Sequence, residues 1–284
     1  MREIVTKTGS VEVDGARAEY VRAGQGSPLL LIHGLIGGSG IWERNIPALA
    51  EHRTVYGLDL LGMGRSERVP GLAIGLEPTA RRVLATMDAL GVDRADLVGT
   101  SQGGSVAMMV AAVAPERVKS LILLAPANPY SRKTDWMVRL YSTALGGWVA
   151  GFAPRVPRWV QRVALARMFG DRRRMGADTL KPYHDALLVP RTMEHVLAIV
   201  RGWFAEMKKL EAVLPEVAKT PTLLVWGDRD RVVSLKSASR LQREIRAELV
   251  VIPGGGHLVF EEFPQKVNRI MTEWLLREGS AVLD

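Results

Sequence analysis

Short apolar runs alternate with stretches whose apolar residues recur every three or four positions through the first part of the chain, and the runs end in glycine-bearing loops. Val11 to Arg22 reads as early antiparallel strands, Pro28 to Ile32 (PLLLI) as a buried strand, and Thr54 to Leu58 as another. Glu77 to Leu90 has helical spacing and stops at Gly91. Ala95 to Gly99 then forms a strand, Ser105 to Ala114 a helix and Val118 to Leu124 a further strand. Strands alternating with helices in this order predict a mostly parallel sheet flanked by helices.

After Leu124 the alternation stops. Ser131 to Leu210 is helical in pattern, with Trp, Met and Leu among arginines and breaks at Gly146, Pro154, Pro157, Gly170, Pro182 and Pro190. The sheet resumes at Thr222 to Trp226, a helix follows from Leu235 to Glu244, Leu249 to Ile252 is the last strand, and Pro264 to Arg277 closes as a helix. The expected organisation is an α/β core domain built from residues 1–127 and 215–284, with a helical cap inserted at 128–214.

Composition refines this picture. Of 284 residues, 47% are hydrophobic and 24% charged, an ordinary balance for a chain that buries one sizeable core. The absence of cysteine excludes disulfides, thiolate catalysis and cysteine-ligated metals. The first residues, MREIVTKTGSVEVDG, lack the apolar run of a secretory signal, and no stretch reaches the length of a spanning helix, so a cytoplasmic location is expected.

The net charge of +8 is not evenly spread. Ser131 to Leu210 holds 15 Lys or Arg against 6 Asp or Glu, a net of +9, which leaves the remainder of the chain at −1. Gly147 to Arg174 mixes Trp148, Phe152, Trp159, Met168 and Phe169 with Arg155, Arg158, Arg162 and Arg167. The expectation adopted is that the apolar face of the cap packs over a pocket while its arginines stay solvated. Contact of the basic cap with a membrane or an acidic partner is the alternative. Nucleic-acid binding is not expected, because no nucleic-acid motif accompanies the charge and aromatic residues make up only 6%.

Candidate chemistry centres on Gly99-Thr100-Ser101-Gln102-Gly103-Gly104, a G-x-S-x-G between a predicted strand and a predicted helix. A serine on so sharp a turn needs small neighbours, and the start of the following helix favours developing negative charge. A serine hydroxyl becomes a useful nucleophile only when a base takes its proton. Of five histidines, His257 stands out, in Pro253-Gly254-Gly255-Gly256-His257 just beyond the last strand. His52, His184 and His195 lie in helical stretches of mixed polarity and read as surface or cap residues. An acid to orient the base is offered by Asp228 or Asp230 in Trp226-Gly227-Asp228-Arg229-Asp230-Arg231-Val232-Val233, and spacing alone leaves the two level. The turn His33-Gly34-Leu35-Ile36-Gly37-Gly38 can aim a backbone N–H at an oxyanion, with Leu35 as donor and the Gln102 N–H as its partner.

In these residues the chain resembles the α/β-hydrolase superfamily, in the branch with a helical cap between the sixth and seventh strands. His33-Gly34, Asp59-Leu60-Leu61-Gly62-Met63-Gly64-Arg65-Ser66, the serine turn, Gly227 to Val233 and Gly256-His257 occur in the family's order along nearly the whole chain. The resemblance implies a mostly parallel eight-stranded sheet. It also selects Asp230, three residues after Gly227, as the acid of a Ser101–His257–Asp230 triad, with Asp228 as backup. Ser234 stands where the family often has proline. The Asp59 to Ser66 segment is similar to a structural turn of the family and is assigned no chemistry.

The implied activity is a carboxylesterase that cleaves small to medium hydrophobic esters through an acyl-enzyme, without metal or organic cofactor. Its partner is a small-molecule ester, and the chain acts as monomer or homodimer. Carbon–carbon bond hydrolases and cofactor-free haloperoxidases or perhydrolases share the triad, and catalytically silent ligand receptors share the fold. Carbon–carbon hydrolases of this type commonly carry Trp after the histidine, where Leu258 stands here. Haloalkane dehalogenases and epoxide hydrolases use Asp at the position of Ser101.

Overall fold

Successive residues of a strand point to opposite faces of its sheet, so the unbroken apolar runs of the central strands demand cover on both sides. The computed structural model describes residues 5–280. Strands β1 (Lys7–Val13) and β2 (Ala16–Ala23) form a hairpin whose turn, Asp14-Gly15, has positive φ at both residues. β3 (Pro28–Ile32), α1 (Ile46–Ala50), β4 (Thr54–Leu58), α2 (Leu76–Ala89), β5 (Ala95–Thr100), α3 (Gln102–Val113) and β6 (Val118–Leu124) follow. The insertion carries α4 (Asp135–Ser142), α5 (Ala144–Ala150), α6 (Arg158–Ala166), α7 (Lys181–Leu188) and α8 (Thr192–Val217). The chain then completes the sheet with β7 (Thr222–Gly227), α9 (Leu235–Glu244) and β8 (Glu248–Ile252), followed by α10 (Val259–Glu262) and α11 (Pro264–Ser280).

The eight strands run in the order β1-β2-β4-β3-β5-β6-β7-β8, with β2 antiparallel to both neighbours and all pairs from β4 to β8 parallel. Leu30, Ile32, Leu121, Leu123, Leu224 and Trp226 face one core cluster, which α2, α3, α9 and the second half of α8 cover. Leu29, Leu31, Ile122, Leu124, Leu223 and Val225 face the other, which α1, α10 and α11 cover.

Several elements depart from the expected bounds for local reasons. β1 begins at Lys7 because it is an exposed edge strand whose early residues carry no apolar run. α1 and α10 are too short to display a helical period. α3 starts at Gln102 although Gly103 and Gly104 lower helix propensity, because the close packing of the serine turn requires them. α8 joins the insertion to the core without a break: Leu210, Leu214 and Val217 pack in the same cluster as Val106, Val110 and Leu224.

Strand order places the site. The chain leaves β3 for β4 on one side and returns to β5 on the other, so the connections after β3 and β5 diverge to opposite faces and open a crevice at their carboxyl ends. His33-Gly34 follows β3 and Ser101 follows β5. Asp230 and His257 follow the paired strands β7 and β8.

The insertion is tied to the core by buried polar contacts. The Tyr183 hydroxyl of α7 donates to the Glu261 carboxylate of α10. Burial pushes the Glu261 carboxyl up to about 8, against the opposing pull of Tyr183 and the Arg44 guanidinium and with a smaller push from Glu43. The unfolded carboxyl ionises near 4.5, so the folded chain holds the extra proton between 4.5 and about 8, and stability is lost as pH rises through that window. The melting temperature is therefore expected to fall between pH 5 and pH 8, and Glu261→Gln to flatten that fall. An unchanged pH slope in thermal melts of the variant would contradict the assignment.

Candidate active site

Ser101 sits between the last residue of β5 and the first of α3 with φ 51° and ψ −122°, a conformation that L side chains rarely adopt. Backbone contacts hold it there: its N–H donates to the Leu124 carbonyl at 3.1 Å, and its carbonyl accepts from Gly104 at 3.0 Å and Ala127 at 2.8 Å. The two glycines that follow Gln102 admit no side chain. A β-carbon at Gly103 would lie 2.3 Å from the His33 carbonyl oxygen, and one at Gly104 would lie 2.5 Å from the Pro126 side chain.

Gln102 opens α3, so its backbone N–H belongs to the first turn, whose donors have no intrahelical acceptor. Gly34 lies beside the serine, close enough that a β-carbon there would be 3.3 Å from Ser101 Cβ and 3.9 Å from its Oγ. Leu35 follows, half-buried against the core. The His33 ring braces this loop from below: Nδ1 donates to the Gly34 carbonyl at 2.7 Å and Nε2 accepts from the Leu60 N–H at 3.1 Å. Burial lowers the basicity of His33, which keeps the ring neutral for that double role.

The Asp59 to Ser66 turn gives a second brace. The Asp59 carboxylate accepts from the Ser39 N–H, and from Arg65 through both its N–H at 3.1 Å and its Nε at 2.9 Å. This locks the loop after β3 against the loop after β4.

Across the crevice, Asp230 is buried and accepts from Val232 at 2.7 Å and Val233 at 2.9 Å through one oxygen, and from His257 Nδ1 at 2.9 Å through the other. Asp228 is exposed, and its carboxylate accepts from the Gly254 N–H at 2.7 Å, shaping the loop rather than meeting the ring. A carboxylate only accepts, so Nδ1 carries the proton and Nε2 keeps its lone pair. Nε2 is buried and has no hydrogen-bond partner among the described residues. Ser101 Oγ makes no hydrogen bond to it, a looser arrangement than a substrate-bound site would have. His184 and His195 lie on α7 and α8, bonded to Gln161 and to the Arg191 and Val69 carbonyls, while His52 is exposed.

Sequence reasoning did not single out Glu262. Its buried carboxylate accepts from Gly256 N at 2.7 Å, next to His257, and from two residues of the insertion, Gly170 N at 3.0 Å and Asp171 N at 2.8 Å. The His257 N–H itself donates to the Met168 carbonyl at 2.7 Å. The only signal in the chain is two adjacent acids inside the apolar stretch Leu258 to Phe263. Beside Gln102, a cavity of about 80 Å³ is lined by Leu76, Ile199, Trp203, Glu206 and Met207.

The serine turn, the glycine loop and the buried acid–histidine pair sit at the strand ends of a fold that comparison with known proteins identifies. Residues 27–264 match the family model for the alpha/beta hydrolase fold, and the chain belongs to that family. It is 33% identical over 93% of its length, and 68% of the relative's, to a dihydrolipoyllysine-residue acetyltransferase component of the acetoin cleaving system of Pseudomonas putida. It is 27% identical over 90% of its length, and 91% of the relative's, to 2-hydroxy-6-oxo-2,4-heptadienoate hydrolase of Pseudomonas putida F1. Among solved structures it is similar to a point mutant of the meta-cleavage product hydrolase CumD, with 25% identity, TM-score 0.78 and coverage of 95% of this chain and 98% of that one.

Removing Glu262 would leave three N–H groups without an acceptor, that of Gly256 buried and those of Gly170 and Asp171 partly buried. Glu262→Ala is expected to cost about 3 kcal/mol of stability, read as a shift in the denaturation midpoint, whereas Glu116→Ala on the exposed surface should change little. Equal midpoints for the two variants would contradict that role of Glu262.

Proposed function

We propose that the chain is a carboxylesterase acting on small to medium hydrophobic esters, with Ser101 as nucleophile, His257 as general base and acid, and Asp230 as the orienting acid. One observation carries the reading: Asp230 holds His257 Nδ1 at 2.9 Å, so the buried Nε2 is the nitrogen left to accept a proton.

In this mechanism Ser101 Oγ attacks the ester carbonyl as its proton passes to His257 Nε2. The Leu35 and Gln102 N–H groups stabilise the oxyanion, aided by the start of α3. His257 returns the proton to the departing alkoxide, which leaves as the alcohol. Water then attacks the acyl-enzyme, gives a proton to His257, and the carboxylic acid is released as that proton passes back to Ser101 Oγ. Asp230 stays ionised throughout, its second oxygen held by the Val232 and Val233 N–H groups. No step needs a metal or an organic cofactor.

The apolar cavity beside Gln102 supports a hydrophobic acyl group. A second reading is carbon–carbon bond hydrolysis, favoured by the likeness to the heptadienoate hydrolase. That relative's named substrate is a carboxylate anion, whereas the residues lining this cavity include Glu206 and no cation. A neutral ester suits it better.

Ser101→Ala is expected to abolish hydrolysis of p-nitrophenyl butyrate while leaving the melting temperature within a few degrees. Asp230→Asn should lower kcat by about ten-thousandfold, and Asp228→Asn by no more than a few-fold. A greater loss at Asp228 would reverse the choice of acid. Turnover of a 2-hydroxy-6-oxo-2,4-dienoate with no turnover of any ester in a panel of rising acyl length would replace the ester reading by the second one.

A further inference from the structure

Only part of the apolar surface of the insertion's first helices is buried. Leu165 and Phe169 turn inward and are buried, but Trp136 (67% exposed), Leu145 (72%), Trp148 (65%) and Trp159 (70%) stand in solvent. Large aromatic side chains normally bury most of their surface, so a group of them left outside asks for a partner.

These residues occupy connected elements. The Trp148 and Phe152 rings meet edge to face at 4.8 Å, and the Arg155 guanidinium stacks over Phe152 at 5.6 Å. Gln161 of α6 donates to the Ala153 and Val156 carbonyls at 3.2 and 2.9 Å, which holds α6 against this turn. On α6 itself Gln161 and Leu165 point inward, while Trp159 and Val163 form one outward row, four residues apart, and Arg158 and Arg162 form the next. Arg162 also reaches the Gly176 and Ala177 carbonyls, and Arg139 of α4 stacks over Phe204 at 5.0 Å.

Charge selects the partner. Residues 136–170 contain five arginines and not one Asp or Glu. Asp135, the first residue of α4, is the one acid of these three helices, so a second copy of this face would set mostly arginine against arginine and self-association is disfavoured there. Protruding Trp, Phe and Leu side chains interleaved with arginines suit a soft anionic interface, in which indoles settle at headgroup depth and guanidiniums meet phosphates. We infer that the outer surface of α4 to α6 docks the protein on anionic phospholipid bilayers. Attachment is peripheral, since no helix among the described residues is long and apolar enough to cross a membrane. It would set the insertion, and the crevice beneath it, against a source of amphiphilic molecules.

Co-flotation of the full chain with vesicles of phosphatidylcholine plus phosphatidylglycerol, and of phosphatidylcholine alone, tests this without reading activity, so the result stands apart from the ester proposal. The bound fraction is expected to be at least ~tenfold higher on the anionic vesicles and to collapse near 1 M NaCl, where the screening length falls to ~3 Å. Trp148→Ser with Trp159→Ser, and separately Arg155→Glu with Arg158→Glu, should each reduce binding about tenfold at unchanged melting temperature. Equal binding to both vesicles, no binding to either, full binding by the tryptophan variant, or a concentration-dependent dimer that the same variant abolishes would each overturn the inference.

Discussion

A serine held at φ 51° costs about 1–2 kcal/mol relative to ordinary backbone, and nothing in its own side chain repays that. The conformation persists because neighbouring backbone leaves no alternative. β5 delivers Ser101 to a turn whose N–H and carbonyl are both engaged, and α3 starts so close to β3 that Gly103 lies under the His33 carbonyl. Much of the site geometry follows from that contact. It fixes Ser101 over the strand ends, sets the first N–H groups of α3 around it, and brings Gly34 beside its hydroxyl.

The opposite half of the crevice is built differently. Here the ring of His257 is oriented by one carboxylate and its backbone by another: Asp230 takes Nδ1, while Glu262 takes the N–H of the preceding residue. Because Glu262 also binds Gly170 and Asp171, and Met168 accepts from the His257 N–H, the insertion is part of the support of the histidine loop. A side chain at Gly256 could not be accommodated, since its β-carbon would lie 2.3 Å from both Gly170 N and Met168 O. Changes at residues 168–171 would therefore act on the histidine.

Legibility in the sequence tracks how local each feature is. Apolar runs such as Pro28–Ile32 and Val118–Leu124 announce their strands because both faces are buried and no long polar stretch interrupts them. The serine turn is legible from its glycines, which are there to make room. Asp228 and Asp230 are level by spacing, and what separates them is three-dimensional: the Val232 and Val233 N–H groups fold back on Asp230 and seat it under the ring, while Asp228 turns to Gly254. Glu262 and Tyr183 are not legible, since Glu262's partners in the insertion lie 92 and 91 residues away and Tyr183's partner 78. The cap shows its helical character but not its direction: period alone does not tell which of Trp148, Trp159 and Phe169 points inward.

Catalysis by this site depends on whether the His257–Asp230 pair activates Ser101 in particular. Brief exposure of the whole protein to a fluorophosphonate, followed by intact-mass and peptide analysis, reads this directly, because such reagents report serine nucleophilicity and not substrate fit. One adduct per chain is expected, located on Ser101, formed rapidly in the unaltered protein and far more slowly in His257→Ala. An adduct on another residue, or equal labelling rates in the two proteins, would contradict that activation.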